Sequence, residues 1–219
     1  VRNSNSLNYE EMENHKFELI VRVVDKGGLA DTAKVTIVVN DINDAPVIAA
    51  GQKFEIFENN KNEAIVGEIH VSDEDGDVLT FDFLSLNAGT KAVDYFDLYT
   101  DGTIRVKSGL QLDYETMPHV YELKFSVSDG DTTITGSVAI HLLDLNEAPV
   151  VDDQNFGIEE NSPAGALVGV IQASDPDKVA SFNTLSYKVL SGNEAELFVI
   201  DSKTGKITVR KSNSLDYET

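Results

Sequence analysis

The chain has 219 residues, 41% of them apolar, and carries 38 acidic against 17 basic side chains for a formal net charge of −21. That is enough apolar material for packed cores, so the acidity does not mark a disordered tail, and its sign argues against nucleic acid as a partner. Cysteine is absent, which excludes disulfide staples and thiolate metal sites; no run of 18 apolar residues offers a transmembrane helix, and the polar start Val1-Arg2-Asn3-Ser4 is no signal peptide.

In chain order, Asp25-Lys26-Gly27-Gly28-Leu29 reads as a hairpin turn, and Ala33 to Val39 alternates and is rich in β-branched residues, as a strand is. Asp41-Ile42-Asn43-Asp44-Ala45-Pro46 follows. Its proline cannot continue a central strand, and it gathers two carboxylates and an amide in four residues. A link that concentrates negative charge between strands calls for a cation. Seven strand-like runs come next: Lys53–Phe57, Val66–Val71, Leu79–Leu84, Phe96–Tyr99, Thr103–Val106, Tyr121–Val127 and Thr132–Leu143. Asp101-Gly102 and Gly130-Asp131 supply hairpin turns between them. No convincing helix interrupts them. Seven antiparallel strands in roughly 100 residues predict an all-β, immunoglobulin-like β-sandwich, without the Cys-Trp-Cys core of true immunoglobulins. The link then recurs as Asp144-Leu145-Asn146-Glu147-Ala148-Pro149.

The recurrence extends further. Leu7-Asn8-Tyr9-Glu10, Leu112-Asp113-Tyr114-Glu115 and Leu215-Asp216-Tyr217-Glu218 copy one tetrapeptide, their tyrosines 105 and then 103 positions apart. Glu58-Asn59 returns as Glu160-Asn161, and Asp73-Glu74-Asp75 as Asp175-Pro176-Asp177. Val1 to Ser6 resembles Val209 to Ser214. A repeat of this length implies tandem units: the back half of one over 1–46, a complete one over 47–149, and the front part of a third over 150–219. The bland explanation is a piece of a longer tandem array. A second reading is that the two incomplete ends complement each other between molecules, head to tail, which would build filaments.

The carboxylates fall at strand ends and turns. Calcium takes six to eight oxygen ligands and tolerates irregular geometry. Zinc would want histidine or cysteine, and His15, His70, His119 and His141 share no ligand spacing. Asp73-Glu74-Asp75-Gly76-Asp77 opens like an EF-hand loop, but its twelfth position is Leu84 and no helices flank it, so that reading fails.

Glu-Asn, Asp-x-Asp, Leu-Asp-Tyr-Glu, a strand-ending Asp and Asp-x-Asn-Asp/Glu-Ala-Pro, in that order and repeated, resemble the cadherin repeat. The style resembles repeats of bacterial and other non-vertebrate surface proteins. The resemblance implies Greek-key sandwiches in tandem and calcium between successive repeats. Carried over by motif, the first junction would use Glu10, Asp41, Asn43, Asp44, Asp73, Asp75 and Asp129. The second would use Glu58, Asp113, Glu115, Asp144, Asn146, Glu147, Asp175 and Asp177. Departures include Asn8 where the tetrapeptide should supply aspartate, Glu147 in place of Asp, and no second Asn before Ala-Pro. They imply weaker calcium binding, most of all at the first junction.

The implied function is a calcium-stiffened extracellular rod, at the cell surface or in a secreted or anchored protein. Its partners would be calcium and a like or unlike adhesion partner or a surface polysaccharide, with no membrane insertion by this segment and no enzymatic activity. The alternative is a carbohydrate-binding sandwich that uses Tyr95, Phe96, Tyr99 and Phe182 as a platform. Paired carboxylates such as Asp113 and Glu115 could serve glycoside hydrolysis, but no nucleophile–histidine pair accompanies them.

Overall fold

The computed structural model describes residues 7–84 and 92–211. The tetrapeptide at 215–218, and the two matching end segments 1–6 and 212–214, lie outside the described residues. The chain falls into two compact units, residues 1–112 with 118–143, and residues 113–117 with 144–219.

The first unit begins with a hairpin, β1 (Lys16–Val24) and β2 (Ala30–Val38), paired without a break from Lys16↔Val38 to Val24↔Ala30. Its turn is closed by Asp25, whose Oδ1 accepts the Leu29 N–H at 2.8 Å, and by Gly28 at a φ of 89° that β-branched residues avoid. Strand alternation puts Phe17, Leu19 and Val21 on one face with Ile37, Val35 and Ala33 opposite them. That face is open: Leu19 is 45% and Ile37 46% exposed.

The rest of the unit is a two-layer sandwich. Its strands are β3 (Val47–Ile48), β4 (Lys53–Phe57), β5 (Ile65–Glu68), β6 (Val71–Ser72) and β7 (Thr80–Phe83). After the one-turn helix α1 (Ala92–Tyr95) come β8 (Phe96–Leu98), β9 (Thr103–Val106), β10 (Val120–Ser128) and β11 (Thr133–Leu143). One sheet runs β4-β11-β10-β7, the other β5-β9-β8, and β3 pairs with β6. The inward residues of β10, namely Tyr121, Leu123, Phe125 and Val127, are wholly buried, with Phe96, Ile104, Val106 and Ile140. Each such side chain contributes about 1.5–3 kcal/mol of burial.

Four details depart from the sequence reading. The two-residue strand β3 has no counterpart in it. The helix α1 exists, one turn long. The sheet is not purely antiparallel, since β11 runs parallel to β4, from Ala139↔Lys53 to Leu143↔Phe57. And the run Val66–Val71 breaks into β5 and β6, because the chain leaves the β5-β9-β8 sheet there for the ladder with β3. Within β5 itself a register shift falls between Ile65 and Gly67. A Cβ on Gly67 would sit 2.5 Å from the Phe54 ring, so only glycine fits. Gln52 bridges the gap, accepting the His70 N–H at 2.7 Å and donating to the carbonyls of Ala49 and His70.

The second unit repeats the same devices. Its strands are β12 (Val150–Val151), β13 (Leu167–Val170), β14 (Ala173–Ser174), β15 (Phe198–Ile200) and β16 (Lys206–Val209). β12 pairs with β14, and β13-β16-β15 form a sheet. Gln154 bridges to Gln172 as Gln52 does to His70, and a Cβ on Gly169 would strike Phe156 as one on Gly67 would strike Phe54.

Candidate metal centres

In the first unit the acidic link follows β2 and ends at the buried Pro46. Asp44 donates its N–H to Asp75 Oδ2 at 2.6 Å. Asn43 donates from Nδ2 to Asp129 Oδ2 at 3.1 Å and to the Asp44 carbonyl at 3.1 Å. The loop between β6 and β7 is wound tightly by Asp73, whose Oδ1 accepts the N–H groups of Asp75 and Asp77 at 3.1 and 3.3 Å. It thereby turns Asp75 toward the link. One oxygen each from Glu10, Asp44 and Asp75 lies within 4.8 Å of the others, and so do oxygens of Asp73, Asp75 and Asp77. Asp75 thus belongs to two adjoining triads. A cavity of about 460 Å³ opens here, lined by Asn8, Glu10, Asp41, Asn43, Asp44 and Glu74 among others.

The electrostatics report crowding. For Glu10, a backbone hydrogen bond pulls the carboxyl pKa down, but desolvation and the neighbouring carboxylates of Asp41 and Asp75 outweigh it and leave it raised. Desolvation, then Glu74, Asp75, Asp41 and Asp73, raise Asp44. Desolvation, then Asp73, Asp75, Asp129 and Asp131, raise Asp77. Asp129 goes the other way: the Thr132 N–H, at 2.5 Å, and the Asn43 amide hold it below the usual range, against some desolvation.

The second unit holds a third triad, Glu115, Asp144 and Asp177, again within 4.8 Å. Asp177 is 3% exposed. Its Oδ2 accepts the Glu147 N–H at 3.1 Å, as Asp75 accepts that of Asp44. Asp175 Oδ1 accepts the Asp177 N–H at 3.1 Å, as Asp73 does for Asp75. Asn146 donates to the Glu147 carbonyl at 3.1 Å, as Asn43 does to Asp44. Lys178 donates from Nζ to the main-chain oxygen of Glu115. Asp113 closes its own turn, its Oδ1 accepting the Thr116 N–H at 3.1 Å. In the first unit Glu58 stands just past β4, only 2% exposed, its N–H bonded to the Leu143 carbonyl. The Glu-Asn motif also has a backbone reason: Asn59 and Asn161 have φ of 51° and 54°, which asparagine tolerates better than most residues.

These donor sets fit a hard cation. Asp73 Oδ2, Asp75 Oδ1 and Asp177 Oδ1 are buried and receive no hydrogen bond. Buried carboxylate oxygens without donors are expensive unless a cation satisfies them. The triads offer only oxygen, no histidine enters them, and several carboxylates converge, which suits calcium better than zinc or a largely hydrated magnesium. A bound calcium would neutralise the converging charge and bridge the oxygens.

Two residues escape a motif reading. Asp77 joins a triad, and the Asp-x-Asp-x-Asp spacing was its signal. Glu74 lines the cavity and accepts the Asn8 Nδ2 at 3.2 Å, while Asn8 Oδ1 accepts the Glu10 N–H at 2.9 Å. Asn8 therefore acts as a tether for its neighbours. The aromatic platform of the carbohydrate reading is not assembled: Phe96 is wholly buried, and Tyr95 packs on Tyr121 at 4.8 Å between ring centroids.

Residues 154–219 match the family model of the cadherin domain. Human Protocadherin-23 is 34% identical over 87% of this chain, and Drosophila melanogaster Cadherin-99C 34% identical over 93%. The chain spans only 6% and 12% of those two relatives. Among solved structures, protocadherin gammaB7 EC3-6, a cis-dimer, matches 97% of this chain and 53% of its own at 19% identity, with a TM-score of 0.71. Human Protocadherin-24 EC1-2 matches 81% of this chain and 82% of its own at 26% identity, with a TM-score of 0.64. A further similar structure is described as the extracellular cadherin domains 3-6 of protocadherin gamma B2. The resemblance to a bacterial or non-vertebrate type finds no support, since similar proteins come from human and mouse as well as fly. Family model, relatives and fold together support a place for the chain in the cadherin domain family.

Proposed function

We propose that the chain is a run of calcium-binding cadherin-like repeats from the extracellular part of an adhesion protein. Its repeats divide at 46/47 and 149/150, and calcium bound at each acidic link stiffens it. The observation that carries this reading is Asp75, which joins two carboxylate triads and keeps a buried oxygen without a donor. Asp177 stands in the same place at the second link. Without calcium the carboxylates repel and the links pivot. With calcium, oxygens from link, loop and tetrapeptide are held by one set of ions. Glu10, Asp41, Asn43, Asp44, Asp73, Asp75 and Asp129 serve the first link. Glu58, Asp113, Glu115, Asp144, Asn146, Glu147, Asp175 and Asp177 serve the second. Extracellular modules of this kind bind at about 10⁻⁴ to 10⁻³ M, so millimolar calcium fills them and cytosolic levels do not. The adhesive partner is a like or unlike surface protein.

The test is small-angle scattering and thermal melting in about 2 mM calcium and then in excess chelator. A longer particle and a higher Tm in calcium support the reading. No change in either would refute it.

A further inference from the structure

The two acidic links share a frame and differ at two positions inside it. In both, the second aspartate of the loop accepts an N–H from the link, Asp75 from Asp44 and Asp177 from Glu147. In both, the first aspartate accepts the N–H of the second, Asp73 from Asp75 and Asp175 from Asp177. That frame sets Lys178 where the first link has Gly76, and Val179 where it has Asp77. The residues compared at each link lie inside one unit, those of the second within 113–117 and 144–219.

Gly76 has a φ of 76°, and the loop curls until the Asp77 N–H reaches Asp73 Oδ1 at 3.3 Å. The Asp77 carboxylate then joins those of Asp73 and Asp75. At the second link Val179 brings no oxygen. Lys178 instead sends Nζ back to the main-chain oxygen of Glu115, whose carboxylate converges with those of Asp144 and Asp177. An ammonium is thus fixed on the backbone of a triad member. A separate sign shows that this triad needs positive charge: Asp177 is 3% exposed, and its Oδ1 has no donor. The loops differ in charge accordingly. Residues 73–77 hold four acids and no base, and residues 175–179 two acids and one base.

We propose, resting on the calcium reading above, that Lys178 is a tethered cation of the second link. It supplies there part of the positive charge that metal alone supplies at the first, so the first link binds calcium more tightly and depends on it more. Asp77 makes good the carboxylate that Asn8 leaves out of the first tetrapeptide, and the order of affinities expected from Asn8 alone is reversed. The ammonium acts in two ways. With metal bound, its charge opposes the divalent ion. At about 6 Å in water-like surroundings that weakens binding by roughly tenfold at most. Lys178 is exposed, so salt screens the effect. Without metal, its hydrogen bond ties the loop to the tetrapeptide and offsets the repulsion between carboxylates.

Each link can be read alone in the 219-residue chain. Asp75→Asn cripples the first and leaves the second, and Asp177→Asn does the reverse. Calorimetric titration should show tighter calcium binding in the Asp177→Asn chain than in the Asp75→Asn chain. Adding Lys178→Gln to Asp75→Asn should tighten binding roughly threefold to tenfold in about 50 mM salt, a gain that vanishes near about 1 M salt. Lys178→Arg, which keeps the charge, should give no gain. In excess chelator Lys178→Gln should lower Tm slightly, since the tie between loop and tetrapeptide is lost. Saturable calcium binding that Lys178→Gln leaves unchanged or weakens, or a gain that salt does not touch, overturns the proposal while the calcium reading stands. No saturable binding in the parent chain overturns both.

Discussion

The hairpins β1–β2 and β10–β11 carry nearly the same message in different surroundings. Phe17-Glu18-Leu19 corresponds to Tyr121-Glu122-Leu123, and Val35-Thr36-Ile37 to Val138-Ala139-Ile140. Both pair antiparallel over nine residues. Yet Leu123 is wholly buried and Leu19 45% exposed. Alternation therefore decides which face is apolar, and neighbouring strands decide whether that face is a core. The same residue can be a pillar of stability in one copy and nearly idle in the other.

The sharpest way to break this comparison is to truncate the paired leucines. Leu123→Ala should lower stability by about 2–5 kcal/mol, as deletions in closed cores do, and Leu19→Ala by less than about 1 kcal/mol. Urea unfolding at low concentration reads both. Equal losses would mean that the β1–β2 face is covered after all. Calcium should come next in size: at 100 times its dissociation constant it stabilises by roughly 2.7 kcal/mol, visible as a higher Tm that chelator reverses. A smaller contrast lies in the paired glycines. Gly67→Ala drives a Cβ into Phe54, which is 8% exposed and hemmed in, and should cost about 1–3 kcal/mol. Gly169→Ala meets Phe156, which is 41% exposed and free to swing aside, and should cost less.

The smallest effect is that of pH. Glu10, Asp44 and Asp77 have carboxyl pKa values raised above the usual 4.5 for Glu and 3.8 for Asp. A raised acid binds its proton more readily in the folded state, so metal-free stability should rise slightly as pH falls through those raised values. The same protons compete with calcium. Below the usual 3.8 the sign reverses, as Asp129, whose pKa is lowered chiefly by the Thr132 N–H, loses its stabilising charge. The gap in Tm between calcium and chelator should therefore narrow between pH 7 and 5, by melting at each pH. A gap that widens would contradict the crowding at Glu10, Asp44 and Asp77.

Much of this was legible in the residues. Alternation gave the longer strands of the complete repeat to within a residue or two, though not the two-residue β3, and repeated motifs gave the acidic links. The break between β5 and β6 was not, because it depends on which strands they pair with, β5 with β9 and β6 with β3. Nor was the parallel β4–β11 pair, since strand direction follows from topology and not from periodicity. At the link, spacing pointed to Asp73 and Asp75, but Asp77 enters its triad through the loop that Asp73 winds. Asn8 looked like a lost charge; its amide proves also to anchor Glu74 and Glu10. Side-chain reach of that kind leaves no periodic trace.

The most direct test of the account is a calorimetric calcium titration of the whole chain beside Asp75→Asn and Asp177→Asn together. Saturable binding near 10⁻⁴ to 10⁻³ M, weakened on the order of tenfold or more by the double variant, is the predicted result. No saturable binding, or binding untouched by the double variant, would contradict it.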